Sequence, residues 1–506
     1  MAIDPKYEKL VLRQKRNPLN SQSIVTCTAR DLEDMEKVIG SSGVATLKGY
    51  EVRQGEIKYT GRVIFSCLYI TQDGEYKKVE CGADFTHKCQ SDEILSGDEA
   101  KINFTLENIE IKMINGQSTF SAIVTANIFL TCKEEINYFS GDENLKIKRE
   151  ECVYFNYLDC KNLNYELADE FEAQGEVKNV FLPEPSAIVS SSWCAQGVCV
   201  CEGEVVVDML LLFDGEEKRI KGERRCIPFR LELEAPNATI DCKCKCDIIV
   251  SGVKFEIAVD EDRGKSLVTT LVEVDIKGDC YERVSLNLPV DAFSLTNKLE
   301  LFPTTFNSVI ERDNLILTER FNGNAVLLGE IEKGLNFISL ALPKMEIVNS
   351  RRDGDTLTIE GLLQATAIFE GENGLSSIGI ELPLFINKNF TENENAQVRV
   401  KCMIEDVDAK ILPGGEIEIS GDVKLLLSFE ESVNTTLLGG VKEGEEKVLP
   451  DTAISVYFAR EGETLYSLAK SLSVSENEII KLNPNLVFPL SSGQNVIIYR
   501  QKTIKI

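Results

Sequence analysis

Residues 59–89 read YTGRVIFSCLYITQDGEYKKVECGADFTHKC, and the same plan returns twice: CEGEVVVDMLLLFDGEEKRIKGERRCIPFRLEL over 201–233 and IEGLLQATAIFEGENGLSSIGIELPLFINKNF over 359–390. Each copy sets a glycine (Gly61, Gly203, Gly361) before an apolar β-type run. A Gly-containing turn follows near Asp73–Gly74, Asp214–Gly215 or Glu370–Gly371, then a second run whose apolar end includes Phe85, Phe229 or Phe385. Two strands joined by a glycine turn predict a hairpin. A second matching element lies downstream in each copy, at residues 103–130, 241–276 and 399–431. There, alternation such as Glu416-Ile417-Glu418-Ile419 is the period of a half-buried strand.

The marker glycines lie 142 and 158 residues apart (61 to 203, 203 to 361). That period is too long for a solenoid and fits tandem domains. The expected fold is mainly β: three tandem antiparallel domains, each a sandwich or open barrel, plus a small βααβ cassette. Boundaries are set at 1–165, 166–300 (Cys-rich), 301–447 and 452–501. Between copies, charge alternation over Ala29–Ser41 predicts a short helix, and residues 164–187 and 316–334 are taken as entry or linking segments.

Composition narrows the function. The chain has 506 residues, 43% of them hydrophobic, so real cores are affordable. Its 82 acidic against 55 basic residues give a formal charge of −27. Such a surface repels nucleic-acid phosphates and anionic lipid, and suits a basic protein or a neutral polymer. The first thirty residues have mixed charge and no apolar h-region, and no run reaches the roughly 18–20 apolar residues of a membrane span. The protein is expected to stay inside the cell that makes it, with its 16 cysteines reduced.

Residues 461–500 have a different texture. SVYFA (455–459) reads as a strand, Gly462-Glu463-Thr464-Leu465 turns into a helix through Ser471, and Ser475-Glu476-Asn477-Glu478 is a capping box. The second helix is expected to turn Ile479, Ile480 and Leu482 inward. Asn483-Pro484 stops it, and NVIIY (495–499) returns as a strand. Leu465, Leu468, Ile479 and Ile497 are assigned to the core.

Two resemblances follow. Tyr457, Gly462-Glu463-Thr464-Leu465, Leu468-Ala469, Ile479, Asn483-Pro484, Leu490, Gly493-Gln494 and Ile497 make the cassette similar to LysM domains; Ala459 departs from their usual β-branched residue. The triplicated body, ahead of this cassette, resembles the clostridial SPOCS domain. Together they resemble the SipL-type spore-coat morphogenetic proteins. The LysM resemblance implies a shallow groove for N-acetylglucosamine polymers, between Gly462, Glu463, Thr464 and Leu465 on one side and Asn485, Leu486 and Val487 on the other. The SipL-type resemblance implies instead that the cassette docks on a coat basement-layer ATPase or another coat protein. The expected role is therefore a non-enzymatic coat scaffold at the forespore surface in the mother-cell cytoplasm, with self-association open. The alternative is a cell-wall protein holding peptidoglycan or chitin-type polymer.

Chemistry finds few other footholds. Cys242, Cys244 and Cys246 in CKCKC fall on one face of a strand, with Lys243 and Lys245 on the other. They read as core cysteines, with oxidative cross-linking or a soft-metal site as alternatives; no metal or other cofactor is assigned. The one histidine, His87, reads as structural. No phosphate loop, nucleophile elbow, HExxH or dinucleotide fingerprint occurs, and residues 259–265 read as a hairpin tip rather than a calcium loop. An enzyme is not expected.

Overall fold

The computed structural model describes residues 4–29, 35–114, 117–214, 219–260, 262–329, 335–371, 374–390, 396–413, 415–448 and 454–499. Each glycine hairpin is the middle and last strand of a three-stranded antiparallel ladder. The first ladder runs Met35–Arg53, Glu56–Thr71, Tyr76–Gln90, and the second Val177–Ala195, Val198–Phe213, Arg219–Glu234. The third is Asn336–Asp353, Thr356–Gly371, Gly374–Asn389, extended by Val326–Leu327. In all three, the first strand slips register at three places against the middle one, so the irregularities repeat along with the regular pairing.

The downstream elements form a second sheet in each copy, organised on one very long strand: Gln117–Gly141, Lys265–Ser294 and Ile417–Glu446. Each long strand pairs on one edge with the strand before it in sequence, Glu99–Ile114, Lys243–Asp260 or Gln397–Ile411. Its other edge takes the leader of the same copy. The leaders are Lys6–Lys15 with Leu19–Ala29, Leu145–Leu158 with Leu163–Gln174, and the single strand Asn297–Asn324. Apolar residues alternate inward from both sheets of a copy and meet in one core. Val63, Phe65 and Cys67 face Phe120, Ala122 and Val124 in the first, and Val205 and Val207 share a cluster with Val272 and Val274 in the second. These are sandwiches, as alternation implies, and among the described residues none closes into a barrel.

Several local expectations change. The helix expected over Ala29–Ser41 does not form in its described part: Ala29 ends one strand, and Met35–Ser41 begin another because Ile39 is buried and the segment pairs with Cys67–Thr71. Residues 30–34, like Gly215 of the second turn, lie outside the described residues. The segment 164–187 is strand apart from Gly175 and Glu176: Leu167, Phe171 and Ala173 point inward between charged neighbours, so its charge marks a solvated face rather than a linker. Much of 316–334 is strand too. Phe385 pairs with Glu360, one place off Gly361, and points outward with 71% of its surface exposed.

The sandwiches pack against one another. Leu68, Leu210 and Ile368, each seven residues beyond its marker glycine, meet in a shared core with Ile39, Phe181, Leu182 and Ala341. A second shared cluster joins Leu12 and Tyr138, Tyr154 and Leu288, and Phe306 and Leu437. Each side chain buried this way contributes roughly 1.5–3 kcal/mol over leaving it in water. Ion pairs cross the same seams: the Asp247 carboxylate takes Lys101 at 2.9 Å and also Lys401, one partner from each neighbouring copy.

Candidate functional site: the C-terminal cassette

The cassette is Ile454–Phe458, helices Leu465–Leu472 and Glu476–Leu482, and Asn495–Tyr499, the two strands pairing antiparallel. Both helices start on capping boxes. Ser475 with Glu478 is the expected one; the other, Thr464 with Ser467, is hidden in sequence because serine replaces the usual Glu or Gln at the third helical position. Ala459, Leu468, Ala469, Val474, Ile479, Leu490, Val496 and Ile498 make the core. Leu465 packs against it, half-buried. Ile497, expected inside, is exposed, since Val496 and Ile498 take the inward positions of that strand. Ile480 and Leu482 are also exposed, because a helix of seven residues buries one narrow stripe and Ile479 occupies it.

The two sides of the expected groove are adjacent. Gly462 N–H donates to the Leu490 carbonyl and Leu490 N–H to the Glu463 carbonyl, both at 2.9 Å. This ties the Gly462–Leu465 turn to the chain just beyond Asn485, Leu486 and Val487. Gly462 sits at φ +79°, where a side chain would be strained. Two groove side chains are committed internally. The Glu463 carboxylate accepts from Tyr457 Oη and Arg460 N–H, each at 2.9 Å, and Thr464 Oγ1 accepts the Ser467 N–H as a cap. Asn485 and Val487 are exposed and Leu486 is half-buried.

Asn483, read in sequence as a helix stop, does more. Its side chain donates to the carbonyls of Ile479 and Ile497 and accepts the Ile497 N–H at 2.8 Å, joining the second helix to the last strand as a backbone rung would. Nothing in the sequence signals this, because the partner lies fourteen residues away. The outward face of the strand pair is also unexpected. Ile454 lies opposite Tyr499 and Val456 opposite Ile497, with Phe458 beside them, and all five side chains are exposed, Phe458 by 66%.

The cassette rests on the body. Phe293, at the end of the second copy's long strand, packs into the cassette core and meets the Tyr466 ring edge-on at 5.4 Å. Lys470 Nζ bonds both oxygens of Asp291 at 2.6 and 2.7 Å. Lys447 Nζ reaches the Ser294 carbonyl and Ser473 Oγ, each at 2.8 Å. These contacts occupy the first helix and leave the sheet face and the groove outward.

Elsewhere, Cys242, Cys244 and Cys246 are buried on one face, with Lys243 exposed and Lys245 half-buried on the other. His87 pairs with Tyr59 across a strand rung, ring edge to face at 5.9 Å. Within 259–265, Asp260 pairs with Lys265 at the end of a hairpin, and residue 261 lies outside the described residues. Among the described residues, no helix is long and apolar enough to cross a membrane.

Comparison with protein families gives two matches: residues 34–114 match the SipL, SPOCS domain family, and residues 459–498 match the LysM domain family. No curated protein and no solved structure matches the chain. The first match covers the first glycine-hairpin sheet and the strand that follows it, a pattern that the second and third copies repeat in their strand pairing. The chain therefore has the SipL-type architecture, a SPOCS domain within a triplicated β body followed by a C-terminal LysM domain.

Proposed function

We propose that this protein is a non-enzymatic scaffold of the spore coat whose LysM cassette binds protein, tethering the body to a basement-layer coat component at the forespore surface on the mother-cell side. The SPOCS match carries a sporulation, coat-related role, and both matched domains are of non-catalytic families. We take the three pairing groups, residues 6–141, 145–294 and 297–446, as the body's folding units.

The observation that carries the protein-docking reading is the uncovered apolar face of Ile454, Val456, Phe458, Ile497 and Tyr499. A continuous apolar face on an otherwise acidic chain marks a protein contact rather than a solvated edge. The groove points the same way, since Glu463 and Thr464 spend their polar atoms on internal bonds instead of leaving them for acetamido groups.

A second reading, binding of N-acetylglucosamine polymer, follows from the LysM match itself. Two variants of the full fluorescently tagged chain separate the two in sporulating cells: Val456→Asp with Phe458→Asp on the sheet face, and Asn485→Ala with Val487→Asp in the groove. Loss of the forespore ring with the face variant alone supports docking on protein. Its loss with the groove variant alone, together with loss of retention on isolated peptidoglycan, sinks that reading and establishes the glycan one.

A further inference from the structure

Eight of the sixteen cysteines gather inside the second sandwich: Cys160, Cys194, Cys199, Cys201, Cys242, Cys244, Cys246 and Cys280. The two sheets bring them together from opposite sides. Cys194 and Cys199 are direct cross-strand partners in one sheet, and Cys244 and Cys280 in the other. Cys194 Sγ lies 3.7 Å from both Cys199 Sγ and Cys280 Sγ, and these three sulfurs sit within 4.8 Å of one another. Cys160 and Cys244 lie close enough to Cys199, and Cys242 to Cys280, to perturb those thiols. Cys199 and Cys280 have no exposed surface and Cys194 has 4%.

Packing alone does not ask for sulfur here. The triplicated fold supplies an internal control, because Cys199 and Cys201 stand four and two residues before Gly203. The residues at the same offsets from Gly61 and Gly361 are Ile57 and Tyr59, and Leu357 and Ile359. All four are buried to 1% exposure or less. The same core position is filled elsewhere in this chain by large apolar side chains, so a cluster of thiols is a local substitution with its own chemistry.

The spacing fits one such chemistry. A disulfide needs its sulfurs about 2.05 Å apart, whereas four thiolates around a tetrahedral ion, each about 2.3 Å from it, lie about 3.8 Å from one another. The two observed 3.7 Å separations are too long for a disulfide, and with the third pair inside 4.8 Å they place the trio near three corners of such a tetrahedron. We propose that Cys194, Cys199 and Cys280, completed by one of Cys160, Cys242 or Cys244, bind a closed-shell thiophilic metal ion, Zn2+ or Cu+, that clamps the two sheets of this sandwich together. Soft thiolate donors select these ions, and binding releases the thiol protons. A crevice of about 450 Å³ lined by Ser191, Trp193, Cys242, Cys244 and Cys246 opens beside the cluster and offers an entry path.

The test uses the full untagged chain, purified anaerobically under a thiol reductant, with metal per chain measured by mass spectrometry. At least one equivalent of zinc or copper is expected, the element deciding between the two ions. Cys194→Ser with Cys280→Ser should lower it at least fivefold, while Cys226→Ser, at an exposed thiol beside Glu204, should leave it unchanged. Should the double variant fail to fold, Co2+ titration of the metal-stripped wild-type chain decides, through the sulfur-to-metal charge-transfer absorption of tetrahedral thiolate. Metal-free wild-type protein that gives no such absorption would overturn the proposal. So would a folded double variant that keeps its metal, or iron accompanied by acid-labile sulfide.

Discussion

At Gly203 an added Cβ would fall 2.1 Å from the Ile188 carbonyl oxygen and 2.6 Å from the ring of Phe229, its partner on the paired strand. At Gly61 the added Cβ would likewise fall 2.6 Å from the paired Phe85 ring and 2.8 Å from the Thr46 carbonyl oxygen. At Gly361 the nearest atoms are 3.4 Å away and the cross-strand partner is Leu384. The marker glycine is thus required by close approach in two copies and not in the third. Gly203→Ala should lower unfolding stability by about 2–3 kcal/mol, and Gly361→Ala by well under 1, as read from paired denaturant curves. Equal effects would show that backbone freedom, not the aromatic cover, keeps the glycine.

Also at this scale, burial pushes the Glu184 carboxyl up to about 7, opposed by Lys344 and assisted by Asp208. A carboxyl whose folded pKa exceeds its unfolded value favours the fold while protonated. That contribution is complete below about pH 4.5 and is lost as pH rises to 7 and beyond. Glu184→Gln should therefore raise the melting temperature at pH 8 relative to wild type and have little effect at pH 4. A variant that melts lower than wild type at pH 8 would assign Glu184 a charged structural role instead.

Among the elements, the cassette and the long strand Lys265–Ser294 are mechanically joined. Phe293 and Asp291 sit at the end of that strand and grip the first cassette helix through Tyr466 and Lys470. Phe293→Ala with Lys470→Ala should leave the body's amide exchange unchanged while speeding exchange in Leu465–Leu472 at least tenfold, measured by mass spectrometry on the full chain. Unaltered exchange in that helix would mean its own capping box and core hold it without the body. Element identity was largely legible here. The glycine hairpins, the downstream hairpins and the βααβ order follow from alternation and turn residues. Residues 164–174 read as a link in sequence because Leu167, Phe171 and Ala173 are separated by charged residues, and an edge strand with one wet face looks like a linker until its partner is known.

For the whole molecule, the seams between sandwiches set the behaviour. Burial works to raise the Asp247 carboxyl, but Lys101 and Lys401 overcome it and hold the group well below the usual carboxylate range. A depressed folded pKa contributes stability above the unfolded value, near 4, which is lost as pH falls through the folded one. Asp247→Asn leaves two lysines facing each other at a seam and should cost about 3 kcal/mol at pH 7, with the loss shrinking below pH 4. Urea unfolding at the two pH values checks this, and a cost that does not vary with pH would assign it to packing.

What the chain determined by itself is local: alternation with period two, glycine turns and capping boxes act over a few residues, so strand, hairpin and cassette were readable, as was the resemblance that the family matches bear out. What only the tertiary structure decided is which faces meet. Leu68, Leu210 and Ile368 are apolar strand residues like many others, and nothing nearby says that they share one core. The eight thiols come from chain positions up to 120 residues apart (160 to 280), and the outward turn of Ile480 and Ile497 depends on which neighbour takes the single buried stripe. The physical reason is common to all three. Inward direction is a property of the partner surface, and burial energy does not exist until that surface arrives.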